Sequence, residues 1–332
     1  MQSLDPFERP PDGIKAVYKK YMKMKPADLD RDADIADLER EANVPERLKK
    51  IQTLDTDVLR RAFCTYAGTA YIPPAESPIH VYEHQDMPGL YIMPTLLPPE
   101  IQILLLDRLL HRDLSNPVHL TNIHTHYTLS YPPSSSSFFN YPPTSPSPIA
   151  HPLDPTVHKS LSITPLLTKK LRWLTLGGQY DWTNKRYPSS PPPSFPPDTA
   201  SLLSTLFPST TPEAAIVNLY SPGDTLSVHR DVAETCSTGL VSVSLGCDAV
   251  FVIGDVVGGE EKTVVLRLKS GSAVYMSGQS RFAWHGVSQI VKGTCPGYLE
   301  SWPAGEHGMY EEWRGWMAGK RVNLNVRQMA ER

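Results

Sequence analysis

The chain has 332 residues, 40% of them apolar, and a formal net charge of −3. That length supports one large domain or two ordinary ones, and the near-neutral charge excludes a globally basic nucleic-acid binder, so any such contact has to run through a local patch. No stretch approaches the ~18 apolar residues of a membrane helix, the opening "MQSLDPFERPPDGIKAVYKK" lacks the apolar run of a secretory signal, and four cysteines without C-x-x-C spacing read as reduced intracellular thiols. The expected location is the nucleus or cytoplasm, with no membrane partner; a monomer is slightly favoured.

Residues 1–80 read as a polar N-terminal extension, helical in patches. "IKAVYKKYMKMK" (14–25) has the spacing of a basic helix face. "DADIADLEREANVPERLKKIQTLDTDVLRRAF" (32–63) has helical spacing with a break at Pro45. "PGLYIMP" (88–94) reads as a short strand. "PPEIQILLLDRLLHRD" (98–113) reads as an amphipathic helix opened by its prolines. Many of the 33 prolines fall in 131–152 and 187–197. Such tracts bury little and are expected to be loops or extended linkers. From about residue 213 the texture becomes β-rich: "AAIVNLY", "TLSVH", "LVSVSLG", "DAVFVIG", "TVVLRLK", "SAVYMS" and "RVNLNVR" follow one another between turn residues. Many short strands predict a sandwich, barrel or jelly roll. "GEHGMYEEWRGWMAGK" (305–320) reads as a helical insertion before the last strand.

The tripeptide His-Arg-Asp occurs at 111–113 and at 229–231. The first copy ends a helix pattern, where residues i and i+2 point about 200° apart, so His111 and Asp113 read as a solvated helix end. The second follows a strand pattern, where i and i+2 share a face. His229 and Asp231 therefore converge, with Arg230 turned away. The protein-kinase catalytic loop is excluded, because that pattern needs Asn five residues after the Asp. Those positions hold Val118 and Cys236. A His-x-Asp pair becomes a metal site only with a third ligand, and two His plus one carboxylate is the set used by non-haem Fe(II) oxygenases. His285, in "SGQSRFAWHGVSQI" (277–290), has the best context among the eleven histidines; His307 sits in the helical insertion. A 2-oxo acid cosubstrate needs an arginine for its far carboxylate. The last strand offers Arg321, Asn323, Asn325 and Arg327 on one face and Val322, Leu324 and Val326 on the other. Read alone, it is equally an edge strand with a solvated face. Asn218 and Tyr220 share a face of an earlier strand.

In this order, N-x-Y, H-x-D, S-R-x-x-x-H-G-V and R-x-N-x-x-x-R resemble the AlkB family of Fe(II)/2-oxoglutarate dioxygenases. "LRWLTLGGQYDWTNKRY" (171–187) is similar to the branch of the animal AlkB homologue one. The resemblance covers 165–328 strongly and 80–126 weakly. It implies an α+β fold, with a double-stranded β-helix (jelly roll) core at about 213–328, flanking N-terminal helices and a nucleotide-recognition lid, all but the first 80 residues forming one dioxygenase domain. It implies that His229, Asp231 and His285 hold Fe(II). It places Asn218, Tyr220, Arg321, Asn323 and Arg327 around 2-oxoglutarate, with O2 the other cosubstrate. Tyr180, Trp182, Lys185, Tyr187 and Arg281 would face the substrate. Two departures stand out: Asn325 where the family commonly has Thr or Ser, and Ser272 where an acid is usual.

The implied reaction is oxidative demethylation of N-methylated adenine in DNA or tRNA, releasing formaldehyde, succinate and CO2. A paired base has to be flipped out, or unpaired already, to reach such a site. The aromatics of 173–187 are candidates for stacking on it, with Lys169, Lys170, Arg172, Lys185 and Arg186 alongside for phosphates, although Trp173, which alternates with Leu171 and Leu174, reads first as core. A protein hydroxylase or histone demethylase would carry the same metal centre, and a non-catalytic nucleic-acid binding module is the remaining alternative.

Overall fold

A computed structural model describes residues 4–39, 46–68, 78–182, 184–305 and 308–331. Pro45 and His307 lie outside the described residues. In chain order the strands are β1 Ile35–Ala36, β2 Leu48–Thr53, β3 His80–His84, β4 Met87–Met93, β5 Tyr127–Leu129, β6 Pro148–Pro152, β7 Leu161–Ser162, β8 Trp173–Gly177, β9 Ala214–Tyr220, β10 Leu226–His229, β11 Leu240–Gly246, β12 Ala249–Val257, β13 Glu260–Leu268, β14 Ala273–Met276, β15 Trp284–Ile290 and β16 Arg321–Arg327. The helices are α1 Asp12–Lys23, α2 Pro26–Leu29, α3 Thr56–Ala67, α4 Pro99–Asp107, α5 Ile163–Pro165, α6 Pro197–Leu206 and α7 Gly297–Glu300.

The result is a mixed α+β fold around two main sheets. One has the order β2-β3-β4-β14-β11-β16-β9-β8, the other β1-β13-β12-β15-β10. From β9 onward, consecutive strands are shared between the two sheets, and β16 returns to lie between β9 and β11. Apolar residues of both sheets, among them Val243, Leu245, Phe251, Ile253, Val322 and Leu324, join one core. Residues 249–254 of β12 are buried without alternation, which explains the unbroken apolar run "AVFVI": this strand is covered on both faces. Its second cover comes from the N-terminal residues. Tyr21, Leu29 and Ile35 pack with Val250, Val252 and Val265 in a separate cluster.

This packing corrects the expectation for residues 1–80. They do contain α1, α2 and α3, but β1 joins the sheet edge beside β13 and β2 pairs with β3, within the stretch read as helical. Pairing to an open sheet edge outweighs the weak local propensity that suggested a helix. The segment is thus a layer of the fold rather than a helical appendage. Likewise, the described residues of 305–320 form no continuous helix, with short 3₁₀ turns at Glu311–Trp313 and Met317–Gly319. Burial of Trp313, Trp316 and Met317 organises it instead of a helix repeat. The 131–152 tract is also more ordered than expected: Phe138, Phe139, Ile149 and Ala150 are buried, and β6 is the middle strand of a third sheet, β5-β6-β7. Its aromatic pair supplied the apolar area that the proline count concealed. Residues 187–195 carry no regular element.

The first His-Arg-Asp needs the sharpest correction. It lies in a π-helical turn that continues α4, and of its three residues only Arg112 is exposed. His111 stacks between Tyr310 and Trp302, with centroids at 4.3 and 5.0 Å, and meets Phe139 edge-on. Asp113 is buried and paired with Arg112 at 2.7 Å. Burial lowers the His111 pKa to about 4, so the ring is neutral in the fold. The unfolded chain takes up that proton near pH 6.5 and the folded one only near pH 4. Stability held above pH 6.5 is therefore lost as pH falls through that window. We expect denaturant titrations from pH 7 to pH 4 to show this loss, on the order of 3 kcal/mol from this residue, and His111→Gln to remove that part of the slope.

Candidate metal and cosubstrate site

The site lies between the two sheets. β10 and β15 run antiparallel with His229 directly opposite His285, so strand pairing brings two distant histidines to a ring separation of 4.5 Å. His229 ends its strand and Asp231 lies just beyond it, in coil rather than on the strand. The convergence expected of the H-x-D pair is reached all the same. His229 Nε2 and Asp231 Oδ1 are 3.8 Å apart, and His285 Nε2 and Asp231 Oδ2 are 3.7 Å apart. One ligand atom from each of the three lies within 4.8 Å of the others. Both Nδ1 atoms face backbone carbonyls, that of His229 at Ser227 (2.8 Å) and that of His285 at Ala283 (3.0 Å). A proton on each Nδ1 satisfies those carbonyls and turns both Nε2 lone pairs toward the common point, the outer contact that orients metal-binding histidines.

Electrostatics agree with this picture. Burial, then the neighbouring His285, lowers the His229 pKa to about 4, so its ring is a neutral ligand. Burial by itself would raise Asp231, but Arg327 and the two imidazoles outweigh it and hold the carboxyl well below the usual range. The set offers two imidazole nitrogens and one carboxylate to a single cation.

The sheet that carries β16 supplies the rest. β16 is an interior strand between β11 and β9, so the edge-strand reading is set aside. Its polar face is buried: Arg321, Asn323 and Arg327 are each at most 5% exposed. Arg321 pairs in register with Tyr220, and Asn323 with Asn218. Arg321 Nη2 donates to Ser244 Oγ at 2.7 Å, and Nη1 reaches two backbone carbonyls at 3.4 Å. Its Nε and the Tyr220 hydroxyl are buried without partners. Burial lowers the Arg321 pKa to about 10. A buried guanidinium facing only neutral acceptors is costly unless an anion completes it, so these residues fit a carboxylate. Asn325 donates to Asn323 Oδ1 and Asn323 to Ser242 Oγ; the departure at 325 leaves no broken contact. Ser272 closes its turn through Lys269 O.

At the other end of β16, Arg327 donates to Asp231 Oδ2 at 2.7 Å and lies 3.2 Å from Glu234. Arg281 is 1% exposed, and its Nε, Nη1 and Nη2 donate to Thr238 O, Asp231 O and Glu234 Oε2. It ties down the 231–238 loop. Glu234 is the residue that sequence reasoning missed; a carboxylate three positions after Asp231 was its one signal.

A cleft of about 360 Å³ opens above Asp231, lined by Tyr180, Trp182, Lys185, Tyr187, Arg230 and Glu234 among others. Tyr180 packs edge-on to both Trp182 (4.9 Å) and Tyr187 (5.3 Å). Trp173 lies 5.6 Å from Trp182, so the ring in doubt belongs to the same aromatic group. Trp182 is 43% exposed. Of the basic residues expected alongside, Lys169, Lys170 and Arg186 are exposed, while Arg172 pairs with Asp224. A larger apolar groove of about 480 Å³ beside α3 and α6 has Asp55 as its one carboxylate, and Asp55 caps α3; it offers no metal-ligating set. Gly286 carries the close approach of β10 to β15, since a Cβ there would stand 2.7 Å from Leu226 O. Gly286→Ala is expected to cost about 1–3 kcal/mol by overpacking and to weaken metal affinity, read together from melting curves with and without Mn(II).

Comparisons with known proteins agree with this geometry. Residues 89–327 match the profile of the 2OG-Fe(II) oxygenase superfamily. The chain is 46% identical over 357 aligned residues to the N6-methyladenosine RNA demethylase ALKB1 of Pyricularia oryzae, covering 100% of this chain and 99% of that one. It is 54% identical over 225 residues to the N6-methyladenosine RNA demethylase ALKBH of Cryphonectria parasitica, covering 63% and 100%. To the tRNA demethylase abh1 of Schizosaccharomyces pombe it is 39% identical over 257 residues, covering 75% and 82%. The chain belongs to the 2OG-Fe(II) oxygenase superfamily, as an AlkB-like member.

Proposed function

We propose that this protein is an Fe(II)/2-oxoglutarate-dependent demethylase of N-methylated adenine in nucleic acid, with RNA as its main substrate. The observation that carries the reading is the convergence of His229, Asp231 and His285, the first two of which line a cleft rimmed by aromatic side chains. The RNA substrates named for the relatives from Pyricularia, Cryphonectria and Schizosaccharomyces support it. We read β9–β16 as the double-stranded β-helix of the family, and residues 180–187 as its nucleotide-recognition lid.

In this reading His229, Asp231 and His285 hold Fe(II). Arg321 and Tyr220 take the far carboxylate of 2-oxoglutarate, with Asn218 and Asn323 beside them. When bound, Fe(II), 2-oxoglutarate and O2 together supply the oxidation of an N-methyl group to a hydroxymethyl that leaves as formaldehyde. The chain's own part is placement. Trp182 and Tyr180 offer faces for an unstacked base. Arg327 keeps Asp231 ionised and aimed, and the buried walls keep water away from the reacting methyl.

The test incubates the protein with Fe(II), 2-oxoglutarate and methylated RNA and DNA, beside a His229→Ala control, and measures every methylated nucleoside by mass spectrometry. Loss of an N-methyladenosine with wild type alone is expected. Succinate formation with all nucleosides intact would redirect the search to protein substrates. At a hundredfold excess of Mn(II) over its Kd, wild type should gain about 2.7 kcal/mol of stability, and His285→Ala close to none. Arg321→Ala should raise the KM for 2-oxoglutarate on the order of 10- to 100-fold, the loss of a charged hydrogen bond, while keeping the Mn(II) effect.

A further inference from the structure

The mouth of the cleft is crossed by the chain itself. The segment ahead of α1 passes over it, and Pro6 is part of the lining. Lys185 Nζ donates to Pro6 O at 2.7 Å and sits 4.1 Å from the centroid of the Phe7 ring. Glu8 pairs with Arg230 at 2.7 Å. Two cations of the rim are therefore each held by an oxygen from one short segment. Arg230 is poised for more than this contact: its guanidinium lies over the Trp284 ring at 4.4 Å, its Nε is buried without a partner, and its nearest other carboxylate, Asp255, is 3.7 Å away.

A carbonyl and a carboxylate on a lysine and an arginine reproduce the contacts that a phosphodiester would make. We propose that Lys185 and Arg230 form a phosphate-binding site for the backbone next to the target base, and that Pro6–Glu8 fills it as an internal competitor which substrate displaces. This rests on the nucleic-acid reading above. The segment is held in a way that allows displacement. The Glu8 side chain is 50% exposed and Phe7 62% exposed, so neither is anchored in a core, and the carboxylate side of the ion pair stays half in water. The site also lies beside the chemistry, since Arg230 stands between His229 and Asp231 in the chain. Phosphate at Arg230 would draw the backbone to the edge of the cleft where Trp182 presents its ring.

The experiment is fluorescence anisotropy with a labelled, unmethylated single-stranded RNA at several salt concentrations. It uses the full chain as wild type, Glu8→Ala, Glu8→Gln and the double variant Glu8→Ala/Arg230→Gln. Both single variants are expected to bind roughly 3- to 10-fold tighter, with the slope of log K against log salt steeper by about 0.7 for one further phosphate neutralised. The double variant should lose the gain. Glu8→Gln preserves shape and guards against a folding effect. If wild type binds RNA and both Glu8 variants bind equally or more weakly, the internal competitor is overturned and the nucleic-acid reading stands. If no form binds RNA at any salt concentration, the nucleic-acid reading falls and takes the phosphate site with it.

Discussion

The buried ion pair between Arg327 and Asp231 joins the two sheets at the point where chemistry is expected. Arg327 ends β16 in one sheet, and Asp231 follows β10 of the other. Their contact is 2.7 Å, with both side chains mostly out of water. Such a pair adds little net stability over an apolar replacement, but leaving one member alone costs about 3–5 kcal/mol. The chain makes the pair affordable by extending it. Glu234 and Arg281 add a second anion and a second cation within hydrogen-bond range, so the formal charges cancel before any metal arrives. The Tyr187 hydroxyl donates to Glu234, which couples the aromatic rim of the cleft to the same network.

The network also explains why a carboxylate can sit ionised among buried groups. Desolvation opposes the charge on Asp231, and Arg327 more than compensates. In turn, burial would lower the Arg327 pKa, and Asp231, Tyr187 and Glu234 raise it. Arg321, at the far end of the same strand, has no such partner and is pushed the other way by burial. One strand thus carries two guanidiniums with opposite circumstances. The neutralised one orients a metal ligand, and the uncompensated one suits a carboxylate brought by a small molecule. An odd-numbered spacing between them would have sent one into the apolar core on the opposite face.

The two His-Arg-Asp copies show how context divides identical letters. At 229–231 the backbone leaves a strand, Nε2 of the histidine points into a cleft, and the arginine goes to the rim. At 111–113 a helical turn directs the histidine into a stack of rings and the aspartate onto its neighbouring arginine. Neither behaviour follows from the tripeptide. In the first copy the aromatic partners come from residues 139, 302 and 310, far away in the chain.

The strands from 214 onward, the alternation of β16 and the histidine and carboxylate of 229–231 were legible in the sequence, because a period of two and short turn-bounded runs are local signals. His285 was legible through its motif. What tertiary structure alone decided was of a different kind. Whether β16 was an edge or an interior strand depended on β11 and β9 closing around it. Arg281 has its motif position, yet its bonds to Thr238, Asp231 and Glu234 are contacts that exist only once a loop has folded over it. Residues 32–53 carry a helical pattern, but β1 and β2 are drawn into strands by sheet edges elsewhere in the chain. The crossing of the cleft by Pro6–Glu8 had no local signal at all. Periodicity and composition report what a segment prefers when alone, whereas hydrogen-bond partners and burial are set by residues that approach only in the folded chain.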